Sequence, residues 1–244
     1  MNILYIHTHD TGRYIKPYGY NIPTPNLMQL AKEGTLFRNA YCAGPTCSPS
    51  RAALLTGMAP HSAGMLGLAH RGFELNNYDQ HIVNHLKRHD YETILCGIQH
   101  VAPDEKMIGY DRIITQDVEG GHKKDLANAG RVAQYLREAG KKQEKNFFLS
   151  FGMLNTHREF PESDIDPSYV IPPHPLTDTK ENREDMAAFM ASAKVMDDCV
   201  GKVIEALKES GLEDETFVIF TTDHGIAFPK MKCNLYDTGI GISL

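Results

Sequence analysis

Apolar, β-prone runs recur at Asn2–His7, Thr93–Gly97, Asn146–Gly152 and Thr216–Thr222, each bounded by polar residues or glycine, and they predict four strands. Helical periodicity fills the intervals. Thr24 and Pro25 read as the cap and first residue of a helix running from Asn26 to Glu33 and closed by Gly34; further helices fit Ser48–Met58, Gln80–His89, Lys124–Ala139 and Arg183–Ser210. In the last, Met186, Phe189, Met190, Ala193, Met196, Val200, Val203, Ile204 and Leu207 repeat at spacings of three and four, which predicts one core-facing stripe. Strands alternating with helices predict an α/β fold, with a mostly parallel central sheet covered by helices on both faces and ligands gathered outside the carboxyl ends of the strands. The proline-rich stretch Glu159–Glu184 reads as a long excursion inside that domain, because the strand and helix patterns resume after it.

Composition narrows the function classes. At 244 residues, with 41% hydrophobic and 23% charged, the chain can bury a large core, which excludes a disordered tail or a stapled mini-protein. A net charge of −6 without a basic cluster argues against a nucleic-acid partner. An anionic substrate would be repelled by the whole molecule, so a few placed cations in an enclosed site must attract it. Cys42, Cys47, Cys96, Cys199 and Cys233 form no C-x-x-C, which favours a reducing compartment over a disulfide framework. Met1–His7 lacks the features of a signal peptide and no apolar run reaches membrane-spanning length, so no membrane partner is expected. The chain as written reads as cytoplasmic; an N-terminus trimmed of a signal would fit an extracytoplasmic location equally. Nucleotide-binding and serine-hydrolase motifs are absent from the sequence.

The most informative string is Cys47-Ser-Pro-Ser-Arg51-Ala-Ala-Leu-Leu-Thr-Gly57. Pro49 and Ser50 favour a helix start, which puts Cys47 where free N–H groups favour negative charge, with Arg51 one turn on. Asp10 follows the first predicted strand and Asp223 the last, so a parallel sheet would bring both carboxylates to the same edge beside Cys47.

The pattern C-x-P-S-R followed by x-x-Leu-x-Thr-Gly, with Leu54, Thr56 and Gly57, resembles the signature of the formylglycine-dependent sulfatases, within the alkaline-phosphatase-like superfamily. The stretches Gly34–Cys42, Pro60–Leu68 and Phe220–Pro229, with Asn234-Leu-Tyr236, are most similar to its sulfamidase (heparan N-sulfatase) branch. The resemblance implies that a separate maturation enzyme oxidises Cys47 to Cα-formylglycine. Its hydrated aldehyde offers one hydroxyl to attack sulfur and a second whose deprotonation expels sulfate.

The resemblance also implies a divalent cation, calcium by family habit, held by His9, Asp10, Asp223, His224 and the matured Cys47. His9 and His224 stand where relatives carry an aspartate and commonly an asparagine, which makes manganese or zinc plausible as well. It assigns catalytic roles to Arg51, His100 and His157, and sulfate binding to Lys232. Ile98 replaces a customary lysine two residues before His100.

The expected activity is hydrolysis of a sulfate ester or sulfamate, on a sulfated small molecule or a glycosaminoglycan-type amino sugar. Two other readings stay open: a phosphodiester or phosphonate monoester hydrolase using the same site, and an inactive fragment that binds a sulfated glycan. Residues 1–244 are expected to form the N-terminal catalytic domain, incomplete at the C-terminus.

Overall fold

In the computed structural model, which describes every residue except Gln143, the strands are β1 (Asn2–Thr8), β2 (Ala40–Tyr41), β3 (Glu92–Gly97), β4 (Arg112–Ile113), β5 (Phe147–Gly152), β6 (Thr216–Thr222) and β7 (Gly241–Ile242). The helices are α1 (Pro25–Glu33), α2 (Cys47–Thr56), α3 (Pro60–Ala63), α4 (Ile82–Lys87), α5 (Gly121–Lys142), α6 (Lys180–Ser210) and α7 (Asp237–Ile240). β4, β3, β5, β1 and β6 lie side by side in that order, every neighbouring pair parallel. β2 and β7 form a separate antiparallel pair. No helix among the described residues is long and apolar enough to cross a membrane.

Alternation along β1 builds a core on each face of the sheet. Leu4 and Ile6 pack with Leu27 of α1, Leu136 of α5 and the α6 stripe, including Phe189, Met196 and Val200. Tyr5 points the other way, into a second cluster with Ala52 and Leu55 of α2 and Val83 of α4. The predicted sheet, covered on both faces, is therefore the one observed, and the Met-rich stripe of α6 is core.

Register decides where the chemistry goes. β1 pairs with β6 through Thr8 and Thr222, and with β5 through His7 and Gly152, while Gly97 of β3 sits opposite Gly152. Four strands thus end at one level, and the chain leaving them carries His9 and Asp10, His100, His157, Asp223 and His224.

Several local expectations need correction. β2, β4 and β7 were outside the four predicted strands, because each is two residues long and exists only through pairing with a distant segment. Thr24 does flank α1, but its hydroxyl accepts from Lys16 N–H. The open N–H groups of Asn26 and Leu27 donate instead to the Asp197 carboxylate of α6, at 2.9 and 2.8 Å. The helix expected over Gln80–His89 shortens to α4 because the buried ring of His81 caps it, its Nδ1 accepting from Val83 N–H at 3.2 Å. α6 begins at Lys180, where Thr179 supplies the cap, so the proline-rich excursion ends slightly earlier than predicted.

Burial pushes His81 down to about 4, from an ordinary value of 6.5. It stays neutral in the folded chain while the unfolded chain takes up a proton, so its contribution is intact above pH 6.5 and is lost as pH falls toward 4. The loss should approach about 3 kcal/mol. Urea denaturation at pH 7 and pH 4.5 should therefore show a larger drop for the native chain than for His81→Asn, which keeps a cap acceptor without the titration. Equal drops would remove His81 from the acid response.

Candidate active site

Cys47 opens α2 as its first residue, after Thr46, whose side chain makes no capping hydrogen bond, and its Sγ is buried at the carboxyl end of the sheet. His224 Nε2 lies 3.3 Å from that sulfur and 3.2 Å from Asp10 Oδ1, and Asp10 Oδ1 is 4.0 Å from the sulfur. The Asp10 N–H donates to Asp223 Oδ1 at 2.9 Å, which ties the two strand ends together. On the other side of Asp223, Oδ2 accepts from Arg51 Nη2 at 3.0 Å and stands 3.1 Å from His9 Nδ1. Ser50, also on α2, donates to the Asp223 carbonyl at 2.6 Å. Lys232 Nζ donates to Asp10 Oδ2 at 2.7 Å, and His157 Nε2 comes within 3.8 Å of the same oxygen. The rings of His100 and His157 lie 5.4 and 5.6 Å from that of His9. All nine residues singled out in the sequence therefore meet in one place, drawn from six separate chain segments.

The backbone there is held against its own preference. Asp10 has φ +53°, a left-handed conformation that a non-glycine residue seldom adopts. Thr156 restrains it: its N–H donates to the His9 carbonyl at 2.7 Å, and its hydroxyl reaches the His9 and Asp10 carbonyls at 3.1 and 3.2 Å. Asp125 of α5 in turn accepts from the Leu154 and Asn155 N–H groups at 2.9 and 2.8 Å, fixing the loop that presents Thr156 and His157.

The donor set suits a divalent cation. One ligand atom each from His9, Asp10, Cys47 and Asp223 lies within 4.8 Å of the others, all buried. His224 Nδ1 must donate to the Gly225 carbonyl at 2.9 Å, which leaves the Nε2 lone pair facing Asp10 and Cys47, an orientation typical of a ligating imidazole. His9 offers the clearest sign. Its Nε2 is buried without a hydrogen bond, and its Nδ1 has only the Asp223 carboxylate, 3.1 Å away. Such orphans are costly unless something else pairs with them. Neither Asp10 nor Asp223 caps a helix.

Burial pushes the Cys47 thiol up to about 12, and the Asp223 and Asp10 carboxylates add to the effect against Lys232 and Arg51. An unmodified thiol here is protonated at neutral pH and a poor nucleophile. Burial works against the Asp223 charge, yet its neighbours His224, Arg51 and His9 outweigh it and hold that carboxyl well below the usual range. Burial, with Arg51 and His70 adding, lowers His100 to about 4, so its ring is neutral at physiological pH. Burial opposes the Lys232 charge, but Asp10 more than compensates and the ammonium persists.

Sequence reasoning missed His7. Its buried ring accepts from Arg51 Nη1 at Nδ1, which forces the proton onto Nε2, 3.1 Å from Ser150 Oγ. The ring stacks on Tyr5 at 4.6 Å, and a Cβ at residue 152 would come within 2.6 Å of it, so Gly152 makes the space. His7 is a neutral acceptor that orients Arg51 toward Asp223 without competing for its charge. A histidine inside an otherwise apolar buried strand was the available signal. We expect His7→Leu to leave Arg51 short of one partner and cut turnover about tenfold to a hundredfold, with His7→Asn recovering part of it. An unchanged kcat in His7→Leu would show that Thr8 and Asp223 hold Arg51 alone.

A family model described as Sulfatase matches residues 1–240. The chain is 31% identical to human N-sulphoglucosamine sulphohydrolase, over 89% of its own length and 49% of the relative's. It is 26% identical to an ulvan-active sulfatase of Formosa agariphila, over 98% and 46%. It thus spans about half the length of the curated relatives it matches. The structure superposes on the phosphonate monoester hydrolase SpPMH from Silicibacter pomeroyi with a TM-score of 0.79 at 17% identity, covering 100% of this chain and 67% of that one, a likeness of fold alone.

Proposed function

The chain belongs to the sulfatase family, with the alkaline-phosphatase-like fold, and from that premise we propose that it carries the catalytic site of a hydrolase removing sulfate from a sulfate ester or sulfamate. The observation that supports this most is the buried Cys47 Sγ facing His224 Nε2 at 3.3 Å, at the rim of a two-carboxylate, two-imidazole donor set. That thiol is too basic to serve as the nucleophile itself, which agrees with its conversion to formylglycine by a maturation enzyme. The hydrated aldehyde would supply an attacking hydroxyl and a second one for release. A divalent cation on His9, Asp10, Asp223 and His224 would polarise the sulfate oxygens.

The remaining steps belong to the chain's own side chains. His224, its Nδ1 committed to Gly225, has one lone pair to offer, at Nε2 beside Asp10 and the Cys47 side chain, and would give it to the cation. Arg51 and Lys232 put two cations beside the transferred group, the first pinned by Asp223 and His7, the second by Asp10. His157, with its side chain 35% exposed, stands where the leaving group would depart, and its Nδ1 donates to the Arg158 carbonyl. A protonated Nε2 there would act as the acid. Neutral His100 would donate or accept a hydrogen bond rather than add charge. The name of the human relative, together with 31% identity, supports an N- or O-sulfated amino sugar as the substrate class.

The test is sulfate release by the full-length, matured protein from glucosamine N-sulfate, glycan O-sulfates and aryl sulfates, beside matched phosphate and phosphonate monoesters. We expect sulfate compounds to be turned over faster. Preference for the phosphorus esters would install the alternative chemistry suggested by the same donor geometry. Binding of a sulfated glycan without turnover by verified formylglycine protein would leave only a binding role.

A further inference from the structure

We propose that, while Cys47 is still a thiol, its sulfur joins His9 and His100 in a site for a thiophilic divalent cation of the zinc class. This rests on the sulfatase reading only for the later fate of Cys47. One ring nitrogen from each histidine and the Cys47 sulfur lie within 4.8 Å of one another. Ligand atoms around tetrahedral zinc stand about 3.5 Å apart, so the side chains need to close by roughly 1 Å.

Three features make these residues a built site rather than a chance cluster. His9 is 2% exposed, and with Nδ1 beside Asp223 its Nε2 has no partner at all. His100 Nδ1 is likewise buried and unpaired, while its Nε2 meets His70 Nδ1 at 3.1 Å, the outer hydrogen bond that commonly orients a ligating imidazole. Moreover, His100 keeps a left-handed φ of +58°, a conformation that surrounding structure must impose on a histidine.

This donor set shares His9 and Cys47 with the oxygen-rich one and differs in the ligands that complete it, His100 in place of Asp10 and Asp223. Two imidazoles and a thiolate suit zinc or cobalt, whereas the two carboxylates suit harder cations. On binding, the Cys47 S–H bond breaks, its electron pair forms the metal–sulfur bond, and the proton passes to His224 Nε2, 3.3 Å away, and then to solvent. A residue 47 already matured to the aldehyde carries no sulfur, so the matured protein lacks this site. Metal loading and maturation therefore compete for one atom.

The experiment uses the full chain produced without the maturation enzyme, with an unmodified Cys47 established by intact mass, titrated with cobalt(II). We expect a thiolate-to-cobalt charge-transfer band in the near ultraviolet that saturates at one equivalent, with about one proton released per zinc in a parallel titration. Cys47→Ser should lose the band and the proton release. His100→Ala and His100→Gln should each weaken cobalt binding about tenfold or more, while manganese(II) affinity, set by Asp10 and Asp223, stays within about twofold. Circular dichroism identifies a variant that fails to fold, and the proton count on the native chain stands without any variant. No thiolate band in a chain bearing the free thiol, or a band untouched in both His100 variants, would overturn the proposal. Sulfate release by matured protein is measured separately, so a failure of the sulfatase reading is not confused with a failure here.

Discussion

Cys47→Ser, in an otherwise matured and metal-loaded protein, is expected to stop turnover after at most one event and to trap the sulfate on the enzyme. Serine puts a single hydroxyl at the position of Sγ, within reach of His224 Nε2 and flanked by Arg51 and Lys232. It can therefore attack sulfur once. In the proposed mechanism release would use a second hydroxyl on the matured carbon, and serine has none, so the serine sulfate ester must wait for outside water in a buried site. Steady-state sulfate release should fall by about four orders of magnitude or more. Intact mass after incubation with substrate should show one sulfuryl group added per chain, located on the peptide that begins at α2. Full turnover by the serine variant would remove the need for a matured residue.

Asp223→Ala is expected to be the most damaging of the ligand substitutions, for stability as well as activity. Its carboxylate accepts from the N–H groups of Asp10 and His224, both at 2.9 Å, and from Arg51 Nη2 at 3.0 Å, all out of contact with solvent. Removing it leaves Arg51, 2% exposed, without its counter-charge. Breaking a buried pair from one side costs about 3–5 kcal/mol. Asp223→Asn keeps the shape and part of the hydrogen bonding, so its stability loss should be smaller, while turnover and metal content fall as far as in the alanine variant. Urea denaturation beside metal analysis separates the two effects. Equal stability of the alanine variant and the native chain would mean that Arg51 finds another partner, and the picture of Asp223 as the hub of the site would fail.

Both predictions concern residues legible before any fold was known, and the reason is chemical. Cys47 and Arg51 sit in a contiguous string whose helix-start chemistry and spacing are specific, and Asp10 and Asp223 each follow a strongly apolar run. Gly97 and Gly152 likewise ended runs that became neighbouring strands in register. His100 and His157 were visible as strand-end residues, with catalytic roles implied by the resemblance, but their surroundings were not. That His100 is neutral beside His70 and Arg51 depends on burial, which no local pattern reports.

Other parts were out of reach for the same kind of reason. Asp125 looks like any acidic residue on a helix, yet it holds the loop that carries His157. His7 looks like a misplaced polar residue in a strand, yet it orients Arg51. Thr24 has the residue type of a cap, but Asp197, far along the chain, does the capping.

The amino-acid order alone determined the alternation of strands and helices, the parallel sheet covered on both faces, and the place of Cys47 at the start of a helix, because these depend on periodicity and on interactions within one or two turns. Tertiary structure alone decided which nitrogens of His9 and His224 are free, how basic the Cys47 thiol becomes, and which residues hold Arg51 and the loop of His157 in place. Those properties arise from the field and hydrogen bonds of segments brought together across more than two hundred residues, as when Lys232 closes on Asp10, and their magnitudes exist only once water has been excluded.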